Sequence, residues 1–273
     1  NAVYVMNKNG SSLESISDKL PSATSPFWSA NDDLYLLSKG QLYKFSFDND
    51  KVEQLTDFYA GVSDPVVSGD GRYVAFTAEL FPECGTDNDC NKRLDESSSK
   101  GPVQAYIADE LLFRHWTEYK GEKETYLILY DMIEKKYEAI TSSDVLAGTY
   151  MLGGGPKYAF SPDSRILAYV STPEKNIAAS TNTDIYLLPI GSKDAVNITL
   201  SNNAWDGSPV FSPDGNYIAY RTHVIPGYEA DRFRIAIYDI KALQSQTLTE
   251  AFDYTTDDIS WSSDSRSIYF TAN

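Results

Sequence analysis

The 273 residues include only two cysteines and two histidines, little positive charge, and no apolar run long enough to cross a bilayer. Each scarcity closes a class of function. Lys and Arg number 23 against 39 Asp and Glu, a formal net charge of −16. A surface of that sign repels phosphate, which argues against nucleic acid and an anionic membrane as partners. Its ordinary effect is to keep a chain soluble. No segment approaches the ~18 apolar residues of a transmembrane helix. The two histidines, His115 and His223, stand in neither triad nor metal-ligand spacing. His115, within LFRHWTEY, reads as a packed or hydrogen-bonding loop residue rather than a base. No G-x-S-x-G nucleophile elbow occurs.

Other weak signals fail on their details. The segment DNDCNK offers Asp87, Asp89 and Asn91 but lacks the glycine and the closing acid of a calcium-binding loop. GGGP at 153–156 has no strand–glycine–helix setting and no following Lys-Ser/Thr, which argues against phosphate binding. No cofactor and no metal are expected, and no catalytic residue. NIT at 197–199 is a formal glycosylation sequon, relevant only in a eukaryotic secretory protein. The chain starts without Met and without a signal peptide, so it reads as processed or as cut from something longer.

What the sequence does contain is a hairpin written five times. SPVFSPDGNYIAYRT has near-copies in DPVVSGDGRYVAFTA, KYAFSPDSRILAYVS and DISWSSDSRSIYFTA, and a weaker one in SPFWSANDDLYLLS. Aligned on the serine before the turn (Ser29, Ser68, Ser161, Ser212, Ser262), the copies lie 39, 93, 51 and 50 residues apart. Periods of roughly 40–50 residues, with strands throughout, indicate an all-β propeller of four-stranded antiparallel blades, of the TolB-like or WD40-like kind. The apolar runs are nearly continuous, as expected of strands covered on both faces. The blades are assigned to 26–56, 65–142, 157–200 and 207–249. An outer half-blade lies at 2–17 and an inner half-blade at 258–272. The 93-residue interval is one blade with an insertion at 79–124, within which 105–117 has room for a short helix. The two half-blades either join and close a five-bladed ring or mark an incomplete piece of a larger propeller; the stop at Asn273 directly after a strand favours the second. Open ends of this kind predict self-association or mutual closure.

Strand direction alternates within a blade, so the connections between second and third strands share one face. Three irregular stretches, 79–124, 172–183 and 222–233, are such connections, and long loops on a rigid scaffold commonly bind. Cys84 and Cys90, in the polar loop FPECGTDNDCNKRLDE, suit a small disulfide-closed loop and an oxidising compartment, periplasmic or extracellular; two unrelated thiols are the other reading. PGYEADRF brings Glu229, Asp231 and Arg232 into one loop, and FRHWTEYKGEKE brings Arg114, Trp116 and Glu118 into another. Charges beside aromatics either form a salt-bridge network that orders the loops or grip a peptide, carboxylate to α-ammonium and arginine to carbonyl or carboxylate. The first strands, PFWS, PVVS, YAFS, PVFS and ISWS, supply no His or acid, which argues against an active site in the central channel.

The same stretches resemble the prolyl oligopeptidase family, nearest its acylaminoacyl-peptidase and dipeptidyl-peptidase V-like subgroup. The Cys loop, LLFRHWTEY, NITLSNNAWDGSPVFSPDGNYIAYRT, PGYEADRFRIAIYDI and ISWSSDSRSIYFTAN stand in the family's order and span most of 26–273. The resemblance implies a seven-bladed propeller ahead of a C-terminal α/β-hydrolase domain with a Ser-Asp-His triad, which is missing here. It further implies that the propeller restricts access of large proteins and helps position a peptide's amino-terminal end, as part of a secreted or periplasmic serine exopeptidase. Its partners would be that hydrolase domain and a peptide substrate. Glu229, Asp231, Arg232, Arg114, Trp116 and Glu118 are then candidates for substrate contact or for the domain interface. The alternative is a non-enzymatic TolB-like propeller that docks protein partners.

Overall fold

The computed structural model describes residues 2–29, 32–101, 105, 114–115, 118–119, 121–141, 157–174 and 177–273, without the side chains of 114, 115, 118 and 177. Two compact units form: Asn1–Gln104 with Leu127–Ala139, and Ala105–Tyr126 with Ile140–Asn273.

In the first unit, strands Thr24–Trp28, Leu34–Ser38, Gln41–Ser46 and Lys51–Gln54 make one four-stranded antiparallel blade. A second sheet orders Ser63–Val67, Tyr73–Leu80, Glu124–Asp131 and Lys136–Ala139. A short hairpin, Tyr4–Val5 with Glu14–Ser15, precedes them. Val3, Ile16 and Leu20 from this hairpin region are buried with Leu34, Leu36 and Phe45 of the first blade. In the second unit one blade comprises Tyr158–Phe160, Ile166–Ser171, Asp184–Pro189 and Val196–Asn197. The next comprises Asp206–Phe211, Tyr217–Thr222, Arg234–Asp239 and Gln244–Thr247. A hairpin of Thr256–Trp261 and Ile268–Ala272 follows. Ala168, Val170 and Ile185 of one blade pack on Phe211, Ile218 and Tyr220 of the next. The second strand of each blade is buried almost along its length, for example Ile218, Ala219 and Tyr220. That burial on both faces explains the unbroken apolar spelling of these strands.

The repeated serine and aspartate have a structural reason. Ser212 Oγ donates to Asp214 Oδ1 at 2.6 Å and accepts the Tyr217 amide at 3.0 Å, while Asp214 Oδ1 accepts the Asn216 amide at 3.1 Å. The same bonds recur at Ser68 and Asp70, at Ser161 and Asp163, and at Ser262 and Asp264. The pair closes the turn on itself, and Gly215, at φ +69°, takes the left-handed position. The Ser29 copy has no aspartate two residues on; there Ser29 Oγ accepts the Asp33 amide, at 3.3 Å.

Two features differ from the sequence expectation, and a third has no counterpart in it. First, the first strands begin before the segments read as PFWS, PVVS, PVFS and ISWS, because a bulge lets each continue. Ser25, Asp64, Ser208 and Asp258 adopt φ of 49°, 51°, 55° and 30°, and strand register shifts at each. First strands therefore do carry acids: Asp64, Asp206, and Asp257 with Asp258. Second, the helix of the insertion is Asn88–Lys100. Of the segment 105–117, only Ala105, Arg114 and His115 are described, and the last two form a strand paired with Glu118–Tyr119. Third, this helix is polar around its circumference, with Asn91 its one buried residue. It is held by specific bonds instead. Asp87 Oδ1 caps the Cys90 amide at 2.9 Å, and Asn91 accepts the Phe81 amide and donates to the carbonyls of Gly85 and Asp87. A disulfide joins Cys84 to Cys90.

Candidate functional site

In the second unit the connections 172–183 and 222–233 meet. The Gly227 amide donates to Thr181 Oγ1 at 3.0 Å. Thr183 forms an isolated parallel bridge with Trp205, and its hydroxyl donates to the Asp206 carbonyl at 2.8 Å. The His223 amide donates to the Trp205 carbonyl at 2.8 Å.

Asp231 is the clamp of the longer connection. Its Oδ2 accepts the amides of Val224 at 2.8 Å and Ile225 at 3.1 Å, and its Oδ1 accepts the Arg232 amide at 2.8 Å. Arg234 Nη1 lies 3.3 Å away and also donates to the Arg232 carbonyl at 2.9 Å. Burial alone would raise this carboxyl, but the two amides and the Arg234 guanidinium outweigh it and hold it below the usual range. Arg234 Nε in turn lies 3.2 Å from Glu250 Oε2. Arg232 turns its guanidinium to the carbonyls of Thr249 and Glu250, at 3.3 and 2.9 Å. Glu229 is left exposed at the tip, beside exposed Val224, Ile225 and Tyr228, with no partner among the described residues.

The structure thus gathers Asp231 and Arg232 into a network that orders the loop and sets Glu229 apart from it. Arg234 and Glu250, which complete that network, were not read from the sequence. The signal was there: Arg232 and Arg234 stand two apart in DRFRIAIYD, where Arg234 opens a strand. In the other insertion, Arg114 pairs with Tyr119 and His115 with Glu118 in the short hairpin. The side chains of Arg114, His115 and Glu118, all of Trp116, and the GGGP segment lie outside the described residues.

Beneath these loops lies a buried polar layer. Asp206 is wholly buried and Asp184 nearly so. Asn202 Nδ2 donates to both Asp206 oxygens at 3.1 Å. Asp184 accepts Asn197 Nδ2 at 2.9 Å and Thr199 Oγ1 at 3.2 Å. Both polar side chains of the formal sequon are therefore taken up by one carboxylate. Burial pushes Asp206 up to about 8, and raises Asp184 as well. Arg221 donates to Asp257 Oδ1 at 2.5 Å and to Ser208 Oγ, and lies over Phe233 at 4.7 Å and Trp205 at 5.6 Å. An apolar groove of about 510 Å³ runs between this blade and the terminal hairpin, lined by Ile235, Ile237, Leu248, Trp261, Ile268 and Phe270. No helix among the described residues is long and apolar enough to cross a membrane.

No protein-family model matches the chain. Over 99% of its length it is 28% identical to dipeptidyl-peptidase 5 of Porphyromonas gingivalis, of which it covers 40%. Of solved structures, acylaminoacyl peptidase of Pyrococcus horikoshii aligns with all of the chain at TM-score 0.69 and 11% identity, over 38% of its own length. TolB of Acinetobacter baumannii aligns with 98% of the chain at TM-score 0.56 and 15% identity, over 53% of its own length. The two structural likenesses are of fold. The chain spans about two fifths of the length of the curated relative from P. gingivalis.

Proposed function

We propose that this chain, a propeller domain of the prolyl oligopeptidase family of peptidases, limits access to the active site of a longer serine exopeptidase and positions the amino-terminal end of its peptide substrate. An α/β-hydrolase domain outside this sequence carries the chemistry in this reading. The supporting observation is the 222–233 loop. Asp231 and Thr181 fix its course, and Glu229 stands at its exposed tip without a partner among the described residues. A carboxylate displayed on a fixed loop suits an α-ammonium group. Arg114, Trp116 and Glu118 are the second set of candidates, for substrate or for the domain interface. The disulfide supports an oxidising compartment, periplasmic or extracellular. The TolB-like alternative has a likeness of fold behind it, and fold does not carry function.

The test uses the full-length parent enzyme with Glu229→Gln, assayed on dipeptidyl substrates with a free or an acetylated amino terminus. KM for the free amine rises at least ~10-fold, the loss of about 1.4 kcal/mol of binding, while the acetylated substrate is unaffected. Equal effects on both substrates, or none on either, overturn this role for Glu229.

A further inference from the structure

His223 lies where the second strand of its blade runs into the 222–233 loop, and it is wholly buried. Its ring packs against Phe233, with centroids 4.1 Å apart and planes tilted by 35°, and lies 5.8 Å from the Trp205 indole. Neither ring nitrogen has a hydrogen-bond partner among the described residues, and neither has Trp205 Nε1. Its backbone is fixed all the same. The amide donates to the Trp205 carbonyl, and the carbonyl accepts Asn202 Nδ2 at 2.9 Å and Thr222 Oγ1 at 3.0 Å. The side chain is thus an apolar plug at the base of the loop, made of a residue that can acquire charge.

The charged groups around it are Arg221 on its own strand, Arg234 at the start of the third strand and Asp231 in the loop. Arg221 is paired with Asp257, and Arg234 with Asp231 and Glu250. Asp206, on the first strand, shares Asn202 with the His223 carbonyl. The one facing carboxylate, Asp231, is already committed to three amides and to Arg234. A proton on the imidazole would therefore sit among aromatic rings, repelled by two guanidinium groups, with no acceptor among the described residues to take either N–H. A side chain that cannot ionise, such as Phe, would not carry that liability.

We propose that His223 is an acid-sensitive latch: neutral, it holds the 222–233 loop closed against Trp205 and Phe233, and on protonation it leaves these rings and frees the loop that carries Glu229. Burial lowers its proton affinity below the ordinary histidine value, with Arg234 and Arg221 adding to this and Asp231 opposing it. A group depressed in the closed state binds more protons when open. The closed state is fully favoured above the open-state value of about 6.5 and loses its advantage as pH falls below it, by up to about tenfold per unit. As regulation of substrate access, the latch rests on the function proposed above; the latch itself does not.

Amide hydrogen exchange of the present chain between pH 7.5 and 5.0, corrected for intrinsic rates, tests it directly. The Val224 and Ile225 amides, which Asp231 holds, lose protection by up to about tenfold per unit below about pH 6.5. In His223→Phe the same amides show no such dependence. Identical pH dependence in both proteins, or none in the wild type, overturns the proposal. Should His223→Phe fail to fold, NMR titration of the wild-type imidazole decides, with His115→Gln assigning the two histidine signals. His223 is expected to take up its proton at the same pH at which the loop amides open. Titration near 6.5 with those amides still protected overturns the latch. Because exchange reads the loop and not catalysis, failure here leaves the Glu229 experiment standing, and the converse holds.

Discussion

Gly207 lies directly against the indole of Trp205: a Cβ built on residue 207 would stand 2.4 Å from Trp205 Cζ2 and 2.6 Å from Cη2. Trp205 is itself buried, and its ring also meets Phe233 edge-on at 5.0 Å. No rotation of a flexible side-chain end relieves such a contact, because the whole bicyclic ring has to move. Gly207→Ala is expected to cost about 1–3 kcal/mol, the range of overpacked cores. Urea unfolding monitored by far-UV circular dichroism reads the loss.

The Ser212–Asp214 turn makes a second prediction, with a pH sign. Ser212 is wholly buried, and replacing it with alanine removes two bonds at once, for a loss of about 1–2 kcal/mol. The Ser212 hydroxyl, then Asn216, hold the Asp214 carboxyl down at about 2. A depressed acid contributes stability above its unfolded value, near 3.9, and that contribution is lost as pH falls toward about 2. Ser212→Ala is therefore less sensitive than the wild type to acid between about pH 4 and 2. Acid titration of the unfolding midpoint checks this. Steeper acid sensitivity in the variant would contradict the assignment.

Asp206 behaves in the opposite sense. Burial raises its carboxyl to about 8, with the nearby Asp184 adding to the shift. The native protein then keeps a proton that the unfolded chain releases near 3.9, so stability declines as pH rises from about 4 and levels off above about 8. Asp206→Asn keeps the shape and cannot ionise, so its stability changes less between pH 5 and pH 9. Chemical denaturation at pH 5, 7 and 9 compares the two slopes, and parallel slopes would show that Asp206 is not the group responsible.

These residues show how far the sequence could be read. The hairpins were legible because their signals are local: a serine and an aspartate two apart, with an apolar strand on either side. Asp206 was not, because Pro209 marks the apparent start of the strand. The bulge at Ser208, with its positive φ, carries pairing back to Asp206, and bulge positions leave little mark on periodicity. The clamp of Asp231 by Arg234 was half legible. The charges in YEADRF announced a network, but its closing partner, Glu250, lies beyond the next two strands and its pairing is set by the fold. The helix Asn88–Lys100 escaped because it has no apolar stripe for a 3.6-residue period to expose.

That helix supplies the last prediction. With one buried residue it gains little from packing, so its order depends on its amino-terminal end, where the Asp87 cap and the Cys84–Cys90 disulfide act within one turn. Its contacts with the rest of the first unit include Asn91, which accepts the Phe81 amide, Asn88, which accepts the Tyr59 amide at 2.9 Å and donates to the Asp57 carbonyl at 3.1 Å, and Asp95, which accepts the Tyr59 hydroxyl at 3.2 Å. Closing so short a loop is worth about 2 kcal/mol on the chain-entropy account. Replacing both cysteines by serine should therefore be felt locally. Amides of Asn91 to Lys100 lose most of their exchange protection, while the buried strand Tyr73–Leu80 keeps its own. Uniform loss across both segments would instead mean that the disulfide supports the whole blade, and that the helix is part of its core.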